Sequence, residues 1–221
     1  CGVYDGSEIY ETTLTLLHLQ KQQADITCYA PDINQHHIIN HNTSNEVEGT
    51  RSVLEESARL ARGEVLPLGT LKVDNYDAII MPGGFGGAKN FSNFALEEQD
   101  ENLKCEPAVE RVVQDAFAKH IPLGFICITP ASVAAIALKG KGVKLTVGND
   151  EAIAKRVDNL GNIHVNATVH DIVTDTEHKV VSTPAYMLAE NIPQAESGIQ
   201  KLVEKVLEMA GQSAAPLAAN A

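Results

Sequence analysis

Basic residues are scarce in this chain. It carries 17 Lys and Arg against 29 Asp and Glu, a formal charge of −12 over 221 residues. Neutralising a polyanion takes clusters of Lys and Arg, so the balance argues against a nucleic-acid surface and equally against a basic membrane-binding face. Long apolar runs are also missing; none approaches the roughly 18 residues that a membrane-spanning helix needs. Cysteine is sparse. Cys1, Cys28, Cys105 and Cys127 are the four, and no two stand at CxxC spacing. That points away from a zinc site, a thioredoxin-type motif and a disulfide scaffold, and toward free thiols in a reducing, cytoplasmic compartment. No signal peptide opens the chain, whose first residue is Cys1 rather than Met.

What is present suits one globular domain, expected over residues 1–211, with 44% hydrophobic residues over the whole chain. The Ala-rich stretch 212–221 lacks a core pattern and is expected to be a disordered tail. Helical spacing predicts helices over Glu8–Gln23, with Ser7 as N-cap, and over Arg51–Arg62, Glu106–Lys119, Ala131–Leu138 and Asp150–Leu160. A mostly helical stretch runs from Pro184 to about Ala210, interrupted near Pro193. Strands are expected over Asp25–Ala30, Tyr76–Met81, Leu123–Ile126, Val143–Val147, Ile163–Val169, Asp171–Thr174 and Lys179–Ser182, with a loop or short hairpin in 34–50. Alternating strands and helices imply an α/β fold with a mainly parallel sheet. The opening Cys1-Gly2-Val3-Tyr4-Asp5-Gly6 reads as a glycine-rich loop feeding a helix, with no strand before it. The first strand is therefore expected to be missing from this chain, leaving a slot with unpaired backbone groups.

Two features fall at the carboxyl ends of strands, where sites form in such sheets. One is Pro82-Gly83-Gly84-Phe85-Gly86-Gly87. It lacks the Lys-Ser/Thr of a P-loop and the G-x-G-x-x-G spacing, and it reads as a tight turn whose N–H groups can approach a reacting atom. The other is Cys127, between the apolar run Leu123–Ile126 and a helix-prone stretch. A thiol at a helix start feels the positive end of the macrodipole, which favours thiolate; a buried structural cysteine is the alternative. An attacking sulfur needs oxyanion donors, for which the N–H groups of Ile128 and Gly84 are candidates. It also needs a proton partner. Glu8 and Glu11 share one face of the first helix, although acidic residues favour helix N-termini in any case. Gly83, Phe85, Asn90 and Thr129 are the candidate pocket residues. No histidine follows Cys127 closely; His170-Asp171 reads as solvated, and His36, His37 and His41 do not match a metal site, so no metal or cofactor is expected.

Four motifs carry a family resemblance: Cys1 to Glu8; Pro82-Gly83-Gly84-Phe85-Gly86; Ala88-Lys89-Asn90 with Ser92-Asn93-Phe94-Ala95; and Thr183-Pro184-Ala185-Tyr186-Met187-Leu188. With them the chain, from Cys1 to about Gly211, resembles the amidotransferase-like superfamily that includes PfpI-type proteases and the Parkinsonism-associated deglycase. It is most similar to the ElbB glyoxalase branch, the isoprenoid-biosynthesis proteins with an amidotransferase-like domain. The resemblance implies a flavodoxin-like, doubly wound fold with helices on both faces and Cys127 at a nucleophile elbow. It implies a glutamate of the first helix as the partner of Cys127, with Glu11 ranked ahead of Glu8, and a homodimer. The chain departs from true glutamine amidotransferases in having Thr129 after the elbow and no histidine at the triad position.

The expected function is a cofactor-independent glyoxalase acting on a small reactive aldehyde, glyoxal or methylglyoxal, through a hemithioacetal on Cys127. A thiol-based redox or electrophile sensor, or a degenerate amidotransferase-like module, is the alternative.

Overall fold

The computed structural model describes residues 1–211, and the tail expected at 212–221 lies outside the described residues. After the opening loop, helix α1 (Ile9–Lys21) starts at Glu8, whose side chain caps it by accepting the Glu11 N–H at 2.6 Å. Ser7, expected to be the cap, belongs to the loop instead, where its carbonyl accepts the Gly2 N–H. Strand β1 (Cys28–Ala30) follows, then a hairpin of β2 (Ile39–Asn40) and β3 (Asn45–Glu46), then α2 (Val53–Leu60), capped by Ser52. Strand β4 (Val65–Pro67) pairs parallel with β1. It is too short and too close to a proline for sequence pattern to reveal.

Strand β5 (Ile79–Met81) leads through the glycine cluster into α3 (Phe85–Lys89), a single turn hidden in sequence by its two glycines. Helix α4 (Pro107–Ala118) carries its proline in the first turn, where no N–H is lost. Strand β6 (Leu123–Ile126) matches its expected bounds. The helix expected over 131–138 is a π-type turn, Pro130–Ala134, closed by α5 (Ala135–Ala137). The chain continues through β7 (Lys144–Leu145), α6 (Glu151–Asn159), β8 (Ile163–His164), β9 (Val173–Asp175) and β10 (Val180–Thr183) to α7 (Ile192–Met209). Pro193 opens α7 rather than interrupting a longer helix.

The main sheet has the order β5-β6-β10-β9, parallel except for β9. All residues of β6 and β10 are buried. Helix α7 lies close on β6: a Cβ on Gly124 would stand 3.0 Å from Leu202 and 3.2 Å from Val206. Helix α1 runs beside α7, and α4 packs on β6 with Val109, Val112, Val113 and Ala116 fully buried. The β1–β4 pair is not hydrogen-bonded to β5. Between them lies a cavity of about 680 Å³, lined by Leu16, Leu19, Ile80, Val109, Val112 and Val206 among others.

Candidate active site

The turn after β6 is the geometric centre of the site. Cys127 has φ 63°, a left-handed conformation costly for a residue with a side chain, on the order of 1–3 kcal/mol. Its N–H donates to Thr183 O of β10 at 2.9 Å. Thr129 locks the turn from beneath. Its hydroxyl accepts the Ile126 N–H at 3.0 Å and reaches the carbonyls of Ile126 at 2.8 Å and Met81 at 3.1 Å. The strained sulfur-bearing residue is thus tied to three strands at their carboxyl ends.

The glycine cluster closes on this elbow. A Cβ on Gly83 would stand 2.5 Å from the Cys127 Cβ and 2.7 Å from Glu11 Oε2, so only glycine fits. Gly84 has φ 98° and sits against the Gly6 carbonyl, which a Cβ would approach to 2.4 Å. With that backbone turned in, the N–H groups of Gly84 and Ile128 favour the charged form of the Cys127 sulfur and pull its pKa down.

Of the two candidate glutamates, the structure brings Glu11 to the thiol. Its carboxyl is fully buried and stands against Cys127, since one Cβ on Gly83 would touch both Cys127 Cβ and Glu11 Oε2. Oε2 accepts the Gly83 N–H at 2.9 Å, and Oε1 accepts the Tyr186 N–H at 3.2 Å. Glu8 is spent on capping its own helix, one turn away, and adds only its charge.

The protonation of the pair follows from burial. Burial pushes the Glu11 carboxyl up to about 7; the bond to Cys127 and the two N–H donors oppose this, and the nearby Glu8 charge reinforces it. Burial, then the Glu11 charge and its hydrogen bond, raise the Cys127 thiol well above the usual range against the pull of the Gly84 and Ile128 N–H groups. The expected dipole-favoured thiolate is therefore corrected. A helix terminus contributes about 0.3–1 kcal/mol, whereas full burial moves a titration by up to 3–5 units. One proton leaves the pair near neutrality, and the second is held far more tightly, because thiolate and carboxylate cannot both stand in the same dry site.

The remaining expected pocket residues lie elsewhere. The Thr129 hydroxyl is consumed inside the elbow, with none of the residue exposed. Asn90 bridges two loops, donating to Asp5 O at 3.0 Å and accepting the His36 N–H at 2.9 Å. Phe85 is anchored by its N–H to Val3 O, and its exposed ring lies under Lys89, 5.4 Å from Nζ to centroid.

The histidines hold other partners. His18 bonds Glu196, His164 accepts the Val147 N–H, His170 bonds Ser197, and His178 bonds Asp175. Among the described residues no three His, Cys, Asp or Glu side chains gather as metal ligands.

Sequence reasoning missed the Tyr186 N–H as a holder of the acid. The turn that presents it contains Ala185 at φ 43°, another left-handed non-glycine. The Thr183-Pro184-Ala185-Tyr186 motif was the available signal, but nothing local shows that it faces Glu11, 175 residues earlier.

No protein-family model matches the chain. It is 39% identical to the human "Glutamine amidotransferase-like class 1 domain-containing protein 3, mitochondrial", over 96% of this chain and 81% of that one. It is 40% identical to the rat "ES1 protein homolog, mitochondrial", over 96% of this chain and 82% of that one. Among solved structures it is similar to an isoprenoid biosynthesis protein with an amidotransferase-like domain from Ehrlichia chaffeensis. That match has a TM-score of 0.86 and 33% identity, and covers 95% of this chain and 94% of that one. Drosophila melanogaster DJ-1beta matches in fold alone, with a TM-score of 0.52 and 15% identity, over 94% of this chain and 92% of that one.

Proposed function

The chain belongs to the glutamine amidotransferase-like class 1 family of ES1 proteins, and on that footing we propose that it is a cofactor-independent glyoxalase. One observation carries the reading: the fully buried Glu11 carboxyl, its two oxygens held by the Gly83 and Tyr186 N–H groups, stands against the Cys127 side chain across Gly83. An acid–thiol pair is suited to moving protons at the carbon that the sulfur has attacked.

In the proposed reaction the Cys127 sulfur adds to one aldehyde carbon of glyoxal, forming a C–S bond. The thiol proton passes to the Glu11 carboxylate. The resulting oxyanion is held by the N–H groups of Gly84 and Ile128, then protonated to the hemithioacetal. Glu11, again a carboxylate, removes the proton from the sulfur-bearing carbon. The electron pair moves into an enediol, which takes a proton at the neighbouring carbon. That carbon is reduced as the first is oxidised, so no external oxidant or reductant enters. The product is a thioester of glycolate on Cys127. Water cleaves its C–S bond, releasing glycolate and restoring the thiol; methylglyoxal gives lactate by the same steps.

The sensor alternative has less support. Sensor cysteines are exposed and low in pKa, whereas Cys127 is 7% exposed and its thiol is pushed upward. An amidotransferase-like activity would need an imidazole for the leaving amine, and the histidines that bond side chains do so elsewhere.

The test is incubation of the chain with glyoxal in D₂O, followed by NMR. Glycolate with deuterium at its new C–H position is expected, and Cys127→Ala is expected to produce none. Turnover undiminished in Cys127→Ala would refute the covalent step.

A further inference from the structure

The opening loop grips the glycine turn through main-chain bonds on both sides of Gly84. The Phe85 N–H donates to Val3 O at 2.7 Å, the Gly86 N–H to Gly6 O at 3.0 Å, and the Glu8 N–H to Gly83 O at 2.9 Å. The same turn meets the elbow at Gly83, where a Cβ would stand 2.5 Å from the Cys127 Cβ. The β2–β3 hairpin grips the loop in its turn. Asp5, 1% exposed, accepts the Ile39 N–H on Oδ2 at 2.7 Å, and its backbone carbonyl accepts Gln35 Nε2 at 2.9 Å. His41 closes this clasp. Its Nδ1 stands 3.0 Å from Ile39 O, and its Nε2 stands 3.2 Å from the Tyr4 nitrogen. A carbonyl only accepts and an amide N–H only donates, so Nδ1 carries the proton and Nε2 the lone pair. The ring lies against Gly2, where a Cβ would approach Nε2 to 2.4 Å.

We infer that His41 is a positioning residue for the Gly84 oxyanion donor. The inference rests on the glyoxalase reading for what that donor does, and on the hydrogen bonds alone for what holds it. Tyr4 lies between Val3 and Gly6, whose carbonyls accept the two N–H groups that follow Gly84. Holding the Tyr4 N–H therefore fixes the segment on which the turn rests. A donor serves an oxyanion only when it is aimed where charge develops, and a displacement of about 1 Å can cost about 10²-fold in rate. His41 bonds Tyr4 and Ile39 rather than the reactive pair, so it acts through the loop. It is an exposed residue, and replacing it leaves the core unchanged.

The test combines amide exchange, read by NMR, with kinetics in the wild-type chain, His41→Ala and His41→Gln. In His41→Ala the Phe85 and Gly86 amides are expected to exchange about tenfold faster or more, with β6 and β10 unchanged. The kcat for glyoxal is expected to fall about 10–10²-fold while KM stays within about threefold, the pattern of an interaction made in the transition state. His41→Gln, whose side-chain oxygen can accept the Tyr4 N–H in place of Nε2, is expected to restore both readouts. Exchange of Phe85 and Gly86 that is unchanged in His41→Ala overturns the inference whatever the turnover. So does a loss of protection spread over β6 and β10, which would mark general destabilisation. Faster exchange with undiminished kcat overturns it as well. If the wild-type chain turns over no glyoxal, the reaction is wrong; faster exchange at those two amides, reversed in His41→Gln, then shows that the clasp stands.

Discussion

At the residue scale the chemistry comes down to where one proton sits. Glu11 titrates near 7 because it is buried, so its carboxylate form grows as pH rises through neutrality. As the proposed base it must be ionised to act. The kcat/KM for glyoxal is expected to rise with pH through about 7 and to lose that limb in Glu11→Gln, along with at least 10²-fold in rate. Stability runs the other way. The folded pKa of this acid lies above its value of 4.5 in the unfolded chain, so between those values the folded state binds more protons. Its contribution is therefore most favourable below 4.5 and is lost as pH rises toward 7, a change on the order of 3 kcal/mol. Urea midpoints between pH 4.5 and 8 measure this. A slope of that sign is expected in wild type and a flatter one in Glu11→Gln. The two profiles together separate catalytic from structural effects of the same carboxyl.

At the element scale the site is a junction of turns. The elbow after β6 and the glycine turn after β5 touch through Gly83, where a Cβ would collide with both partners of the pair. Gly83→Ala is expected to remove turnover and to slow alkylation of Cys127, read by mass spectrometry, because the elbow must open to admit the methyl group. Thr129 tests the other side of the junction. Thr129→Val keeps the shape but leaves the Ile126 N–H without its acceptor in a dry interior. A loss of about 1–3 kcal/mol in urea denaturation is expected. The elbow cysteine was legible from an apolar strand ending in a single thiol, and the glycine turn from its composition. Thr129 was misread as a pocket residue, because a hydroxyl next to a nucleophile looks the same in sequence whether it faces substrate or the strand below.

At the scale of the whole molecule the sheet is continuous from β5 to β9 and broken between β5 and β1. Strands β6 and β10 are paired on both sides, while β1 and β5 each face the cavity along one edge. Hydrogen exchange is expected to separate them. Amides of β6 and β10 should be the slowest, and those of β1 and β5 that point into the cavity should exchange orders of magnitude faster. Equal protection across all four strands would mean that the gap is closed in solution.

Local pattern alone determined the α/β class, the bounds of β6, the helices α4 and α6 to within a residue or two, and the cysteine at the strand end. Each rests on neighbours in the chain, whose spacing and side-chain volume are visible in order. Tertiary structure alone decided which glutamate meets the sulfur, since Glu8 and Glu11 stand three residues apart and folding spends the first on capping α1 while it buries the second against Cys127. It also decided that the thiol is held protonated rather than favoured as thiolate, because desolvation depends on what covers a group from every side. The Tyr186 N–H that fixes the acid comes from the far end of the chain, and only folding brings a donor and acceptor 175 residues apart into one hydrogen bond.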